Sequence, residues 1–262
     1  YHWMNAGLKA AGNLEFIYPG NKYLGHEGEY AKWPVNNDGK KISFYEDNNF
    51  GGYKSYHVFG KFAEFSGAYW HNDNMGMVRY GSRENKAGTK IWIWGLSNQG
   101  MIWEKLLTDK DGQYVELQSG RLFNQNAERS SLTPFKHIAF SPYATDTWTE
   151  YWYPVGPTKG MVKANTLGAL NIQQDDGWLK IRFSPAQSFT DTLQVWKGGQ
   201  LLYSKYMQFK TMQTFADSFQ LKSDNQALSV KFTQQEFNYN SDPTADDRAR
   251  PTDAPANFNW NS

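Results

Sequence analysis

The chain has no cysteine, which removes disulfides, thiolate zinc sites and thiol nucleophiles together. That absence names no compartment, because exported proteins also do without the residue. No stretch approaches the ~20 consecutive apolar residues of a membrane-spanning helix. Charge of one sign is lacking too: 27 Lys and Arg face 26 Asp and Glu, for a formal net charge of +1. With no cationic excess and no Lys/Arg run, nothing favours a nucleic-acid partner. There is no phosphate-binding loop, dinucleotide-type glycine fingerprint, nucleophile-elbow serine or His-Glu-x-x-His zinc motif, so nucleotide chemistry and serine hydrolysis are poorly supported. The opening "YHWMNAGLKAAG" has no basic segment leading into an apolar run and is not a secretory signal. It also lacks an initiator methionine, and the expectation is a chain that begins inside a longer protein.

Aromatic residues are what the chain has in excess: 11 Trp, 16 Tyr and 17 Phe. A core does not need so many indoles. Flat rings with a polar handle suit a ligand with an apolar face and polar edges, as a pyranose has. Strands that favour aromatic side chains are the other source of such a number, and composition leaves both open.

Short runs alternate between turn signals, and long helical patterns are scarce. In "TKIWIWG" (89–95), Ile91 and Ile93 point one way and Trp92 and Trp94 the other, as in a strand packed on both sides. In "QYVELQSG", Val115 and Leu117 share one face, and Tyr114, Glu116 and Gln118 share the other. A boundary falls near 160–169. Beyond it, "GWLKIRFSP" alternates Leu179, Ile181 and Phe183 against Lys180 and Arg182, and "DTLQVWKGGQLLYS" reads as a hairpin turning at Gly198–Gly199. "ALSVKFTQ" alternates in the same way. About seventy residues of this kind predict a small Ig-like β-sandwich with a structural or spacer role. The tail, rich in Pro, Asp and Asn, reads as an extended linker held at its end by Phe258 and Trp260.

Four groups of residues carry possible chemistry. Glu116 and Glu104 offer the two carboxylates that glycosidic cleavage needs, at a separation of ~5 Å or ~6.5–9.5 Å; the alternative is a pair of solvated surface carboxylates. In "TDKDGQ", Asp109 and Asp111 resemble calcium ligands, but the twelve-residue loop with its sixth-position glycine is missing. Asp111–Gly112 therefore reads as a hairpin turn, and no metal is expected. In "YHVFGKFAEFSGAYWHNDNMGMVRYG" (56–81), His57, His71, Asp73 and Arg79 supply acid, base and anion-pairing groups, with Trp70 as a platform. The plainer reading makes "HNDN" a polar turn and His57 a satisfied strand residue. Finally, alternation in "TDTWTEYWYP" puts Trp148, Glu150 and Trp152 on one face, a floor for a sugar ring or a pair of indoles beneath another layer.

The stretches "TKIWIWGLSNQGMIWEKLLTDKDGQYVELQSGRLFNQ" and "FSPYATDTWTEYWYPVGPTKGMVKAN" resemble the bacterial family known as domain of unknown function 5107. The opening "YHWMNAGL" is similar to its Trp-rich strand. The closing "RPTDAPANFNWNS" is similar to the segment through which that family runs into tetratricopeptide repeats. The resemblance covers roughly residues 1–165 and the linker. It implies a galactose-mutarotase-like antiparallel β-supersandwich, a group that binds carbohydrate on a concave sheet face with His, Arg and carboxylate side chains. An additional stretch of supersandwich precedes the Trp-rich strand in the family, so the portion here is expected to be partial. Glu116 matches the family's Tyr-x-Glu position, and Trp92, Trp94, Trp103 and Trp152 match its aromatic positions. Fold-level analogy does not establish a reaction.

The expectation is thus an all-β chain. A mutarotase-like portion spans 1–165, a small sandwich 166–238, and a linker towards a repeat domain 239–262. The expected function is carbohydrate binding or processing, with Glu116 leading, His71, His57 and Glu104 assisting, and Trp70, Asp73, Arg79, Trp148, Glu150 and Trp152 contacting the sugar. The alternatives are a non-catalytic scaffold that presents the repeats and meets protein partners through them, and a sugar epimerase. No cofactor is expected. The family setting implies a bacterial periplasm or cell surface.

Overall fold

The computed structural model describes residues 3–25, 30–48, 53–59, 63–82, 88–94, 98–120, 142–222 and 226–242. Most of the expected linker, with Phe258 and Trp260, lies outside them. Every described strand pairing is antiparallel, and the chain is the all-β sandwich type that its alternating runs predict. Among the described residues no helix is long and apolar enough to cross a membrane.

The chain forms two compact units. The first takes in Tyr1–Trp70 and Gly81–Glu150, the second His71–Tyr80 and Tyr151–Ala249. The first is organised by a six-stranded sheet. Its order is β1 (Trp3–Lys9), β9 (Tyr114–Gly120), β8 (Gly88–Ile93), β5 (Lys54–Phe59), β3 (Lys22–Gly25) and β4 (Tyr30–Lys32). A further pair, β2 (Leu14–Ile17) and β6 (Phe65–Trp70), belongs to the same unit. Strand geometry makes the central sheet two-sided. Val115 and Leu117 on β9, Ile91 and Ile93 on β8, and Tyr56 and Val58 on β5 are buried on one face.

Between β8 and β9 lies α1 (Asn98–Leu107), which the alternating pattern did not suggest. Its "MIWEKLL" run is made of good helix formers, but Met101, Ile102, Leu106 and Leu107 are all exposed, so no amphipathic stripe marks it. The side facing the protein holds the buried Gly100 and the half-buried Trp103 and Glu104. The Asp111–Gly112 bend expected between two strands therefore follows a helix instead. Thr108 closes the end of the helix, its hydroxyl lying between the carbonyls of Glu104 and Gly112 (2.8 and 2.7 Å), either of which can accept its single hydrogen.

In the second unit, β7 (Met75–Tyr80) pairs with β10 (Tyr151–Val155). Two four-stranded sheets follow: β11 (Lys163–Asn165), β12 (Gly168–Asp175), β13 (Trp178–Pro185) and β16 (Phe215–Gln220) in one, and β15 (Gln200–Phe209), β14 (Phe189–Lys197), β17 (Leu228–Phe232) and β18 (Asn238–Asn240) in the other. The alternation expected of β13 and β17 is observed: Leu179, Ile181, Phe183, Leu228, Val230 and Phe232 enter one apolar cluster. Phe183 meets Phe209, Phe232 and Phe237 edge-on at 5.1–5.6 Å, the arrangement ring quadrupoles favour. The β14–β15 hairpin turns at Gly198 and Gly199, both at positive φ (55° and 82°), a conformation that side chains resist.

The loop after β17 is tied by one buried carboxylate. Asp191 accepts from the Thr233 hydroxyl (2.6 Å) and from the backbone N–H groups of Thr192, Thr233, Gln234 and Gln235 (2.6–3.2 Å). Burial alone pushes its carboxyl up, but the Thr233 hydroxyl and these N–H donors outweigh it and hold the group below the usual carboxylate range. A depressed folded-state pKa adds stability that is present above the unfolded value of about 3.9 and is lost as pH falls through the folded value. Asp191→Ala is expected to lower stability by about 3 kcal/mol, through stranded donors rather than lost volume. Urea unfolding at pH 7 measures this, and repeating it below pH ~4 should show the gap between variant and parent narrowing.

Candidate functional site

The face of the six-stranded sheet opposite Val115 and Leu117 is polar and aromatic. Directly opposed residues of an antiparallel pair share a face, so the register lays out the site. One row runs Gly7, Glu116, Trp92, Ser55 across β1, β9, β8 and β5. The next runs Asn5, Gln118, Lys90, His57, and a third sets Trp3 beside Gly120 and Gly88. Lys90 thus lies between Gln118 and His57, with Glu116 diagonal to it on the neighbouring strand.

All three ionisable groups are withdrawn from solvent, Lys90 and His57 fully and Glu116 to 8 % exposure. A desolvated ammonium is costly, by several kcal/mol if nothing compensates. Here its Nζ lies 4.6 Å from the Trp3 ring centre and 5.4 Å from that of Trp92, with Glu116 as the opposing charge. Burial pulls the Lys90 amine down to about 7, and Glu116 works against that fall. Glu116 accepts from the Gln118 side-chain amide. The Tyr114 hydroxyl is pushed up, first by burial and then by the charge and hydrogen bond of Glu116. His57 meets Trp3 edge-on at 5.9 Å.

Aromatic rings continue the face towards α1. Tyr53 stacks on Trp92 (4.9 Å), Trp92 meets Trp94 edge-on (5.3 Å), and Trp94 stacks on Trp103 of the helix (5.4 Å). All four are half-buried. Three buried polar atoms on the same face, Trp3 Nε1, Ser55 Oγ and Gln118 Oε1, have no hydrogen-bond partner among the described residues. A buried polar group normally finds one, so this face has hydrogen-bonding capacity to spare.

The structure gathers Glu116 and His57 onto this face and distributes the other expected residues elsewhere. Glu104 is on α1, where its backbone carbonyl serves the helix end. Trp70 closes β6, with its indole N–H donated to the Lys9 carbonyl (2.8 Å). His71 and Asp73 occupy the four-residue turn before β7, half-buried and exposed respectively. Arg79, buried, stands opposite Trp152 in the β7–β10 pair of the second unit. The expected Trp148–Glu150–Trp152 strand face does not form, because β10 begins at Tyr151 and residues 144–150 are irregular. Glu150 instead accepts from Ser119 (2.7 Å), whose side chain leaves β9 on the side opposite Glu116. Lys90, Trp3, Ser55 and Gln118 were not singled out from the sequence. The period that paired Trp92 with Trp94 also places Lys90 on their face, and that signal was there to be used.

Residues 1–155, more than half of the chain, match the family described as "Domain of unknown function (DUF5107)". A solved structure of a TPR-domain containing protein from Parabacteroides distasonis is similar at 22 % identity and a TM-score of 0.43, over 58 % of this chain and 24 % of that one. This chain therefore spans about a quarter of that protein's length. The architecture makes it an all-β sandwich protein, and the sequence match makes it a member of the DUF5107 family.

Two outcomes follow for the site. Glu116→Gln removes the charge that supports the ammonium, so the Lys90 pKa should fall further below about 7, read by NMR titration of labelled lysine side chains. A β-carbon at Gly120 would come within 2.5 Å of the Trp3 ring, so Gly120→Ala should displace the indole, with a change in tryptophan emission and a stability loss of about 1–3 kcal/mol.

Proposed function

We propose that the polar face of the six-stranded sheet binds carbohydrate and that Glu116 acts there as the acid/base group, assisted by His57. The observation that carries this reading is the juxtaposition of Glu116, Lys90 and His57 with the indoles of Trp3 and Trp92 on one sheet face. Aromatic rings beside a few hydrogen-bonding groups suit a pyranose, and a buried carboxylate suits proton transfer to or from its oxygens. In this reading the mutarotase-like portion spans 1–165, the sandwich of 166–238 is a spacer, and 239–262 leads to repeats that meet protein partners. His71 and Glu104 remain candidate assisting groups, and Asp73, Arg79, Trp148 and Trp152 candidate sugar contacts. Trp70 and Glu150 we assign to structure, since their polar atoms are engaged by Lys9 and Ser119. We place the protein in the bacterial periplasm or at the cell surface.

A non-catalytic scaffold is favoured by a different observation, the exposed apolar residues Met101, Ile102, Leu106 and Leu107 of α1, which suit contact with another protein. Glycan-array screening followed by turnover assays on captured glycans separates the two. The carbohydrate reading expects capture that Glu116→Gln spares, with turnover reduced by about 10²–10⁴-fold. Capture with undiminished turnover in that variant removes Glu116 from the chemistry. No capture of any glycan leaves the scaffold.

A further inference from the structure

The buried amine of Lys90 has no part in the acid/base scheme above, yet it is the centre of the face. We infer that Lys90 is a carbonyl-capturing amine: set between the indoles of Trp3 and Trp92 and opposed to Glu116, it takes the aldehyde carbon of an open-chain hydroxyaldehyde as an imine. The inference rests on the carbohydrate reading and names the form of sugar that the face holds. Three observations support it. First, a lysine withdrawn into an aromatic setting is the kind that reacts with carbonyls, because desolvation favours its neutral, nucleophilic form. Burial brings this one to about 7, whereas an ordinary lysine stays near 10.4. Second, imine formation needs an acid beside the amine, and Glu116 is there. Third, Trp3 Nε1, Ser55 Oγ and Gln118 Oε1 are buried on this face without partners among the described residues. They offer a donor, a hydroxyl and an acceptor to the hydroxyl groups that such an aldehyde carries beyond its first carbon.

The step balances without any further reagent. Lys90 first passes its ammonium proton to the Glu116 carboxylate; the nitrogen lone pair then attacks the aldehyde carbon, and the carbonyl oxygen takes that proton from Glu116, giving a carbinolamine. One of the two protons on that nitrogen then passes to the hydroxyl, which leaves as water, and the other stays on a protonated imine opposed to the Glu116 carboxylate. A carbon–nitrogen double bond remains and nothing is oxidised or reduced. Trp3 covers Lys90 from strand β1, and its ring lies against Gly120, where no side chain wedges it.

The test uses the full chain, glyceraldehyde as the probe and cyanoborohydride to reduce any imine, with peptide mapping to rank the lysines at pH 7. Exposed lysines such as Lys110, Lys205 and Lys210 serve as internal references. A larger share of Lys90 than of an exposed lysine is neutral at that pH, because burial lowers its pKa. Labelling of Lys90 at least tenfold faster than the references supports capture, and Trp3→Ala should raise the ratio further. A ratio below tenfold in both the parent and Trp3→Ala overturns it, as does a preference that survives in urea, where no site exists. Glycan capture without Lys90 labelling sinks the imine and leaves the carbohydrate reading standing. Lys90 labelling without glycan capture sinks that reading and confines the site to free aldehydes.

Discussion

An ammonium group taken wholly out of water is the constraint around which the first unit is arranged. Lys90 is fully buried in the middle of a sheet, where a methylene stem and a positive charge would ordinarily be a liability. Its neighbours are those a desolvated cation requires: a carboxylate on β9, the indole of Trp3 on β1 and the indole of Trp92 on its own strand. Each comes from a register position, so the charge is compensated only when three strands are aligned to the residue. A slip of one residue in β9 would bring Val115 or Leu117 to this face and carry Glu116 into the apolar layer. Removing one partner of such a pair would leave the other as an uncompensated buried charge.

Strand β9 is where the opposite demands meet. Its even-numbered residues make the polar face, and Val115 and Leu117 between them are sealed in the core. Ser119, on the core side, reaches Glu150 just before the chain enters β10. One strand thus positions the candidate chemistry and anchors the segment that leaves the first unit.

Sequence periodicity made the strands legible wherever burial was one-sided. The alternation of Leu179, Ile181 and Phe183, the Gly198–Gly199 turn and the two faces of "YVELQSG" all survive in three dimensions, because a period of two is what the pleat imposes. Helix α1 was hidden since its apolar residues are not confined to one stripe, and a helix with exposed leucines has no pattern to detect. The Trp148–Glu150–Trp152 face failed for the converse reason: alternation is present in the sequence before the strand begins at Tyr151. Glu116 and His57 were found as individual residues, but Lys90 was not, since a single lysine in an apolar strand looks like an exposed one until its cross-strand neighbours are known.

The chain of rings from Tyr53 through Trp92 and Trp94 to Trp103 has an optical consequence. Chromophores at 5 Å separation share excitation, so light absorbed by the tyrosine emerges from whichever indole lies lowest in energy. Because the last ring belongs to α1 and the others to the sheet side, the colour of that emission is an intrinsic gauge of whether the helix is seated.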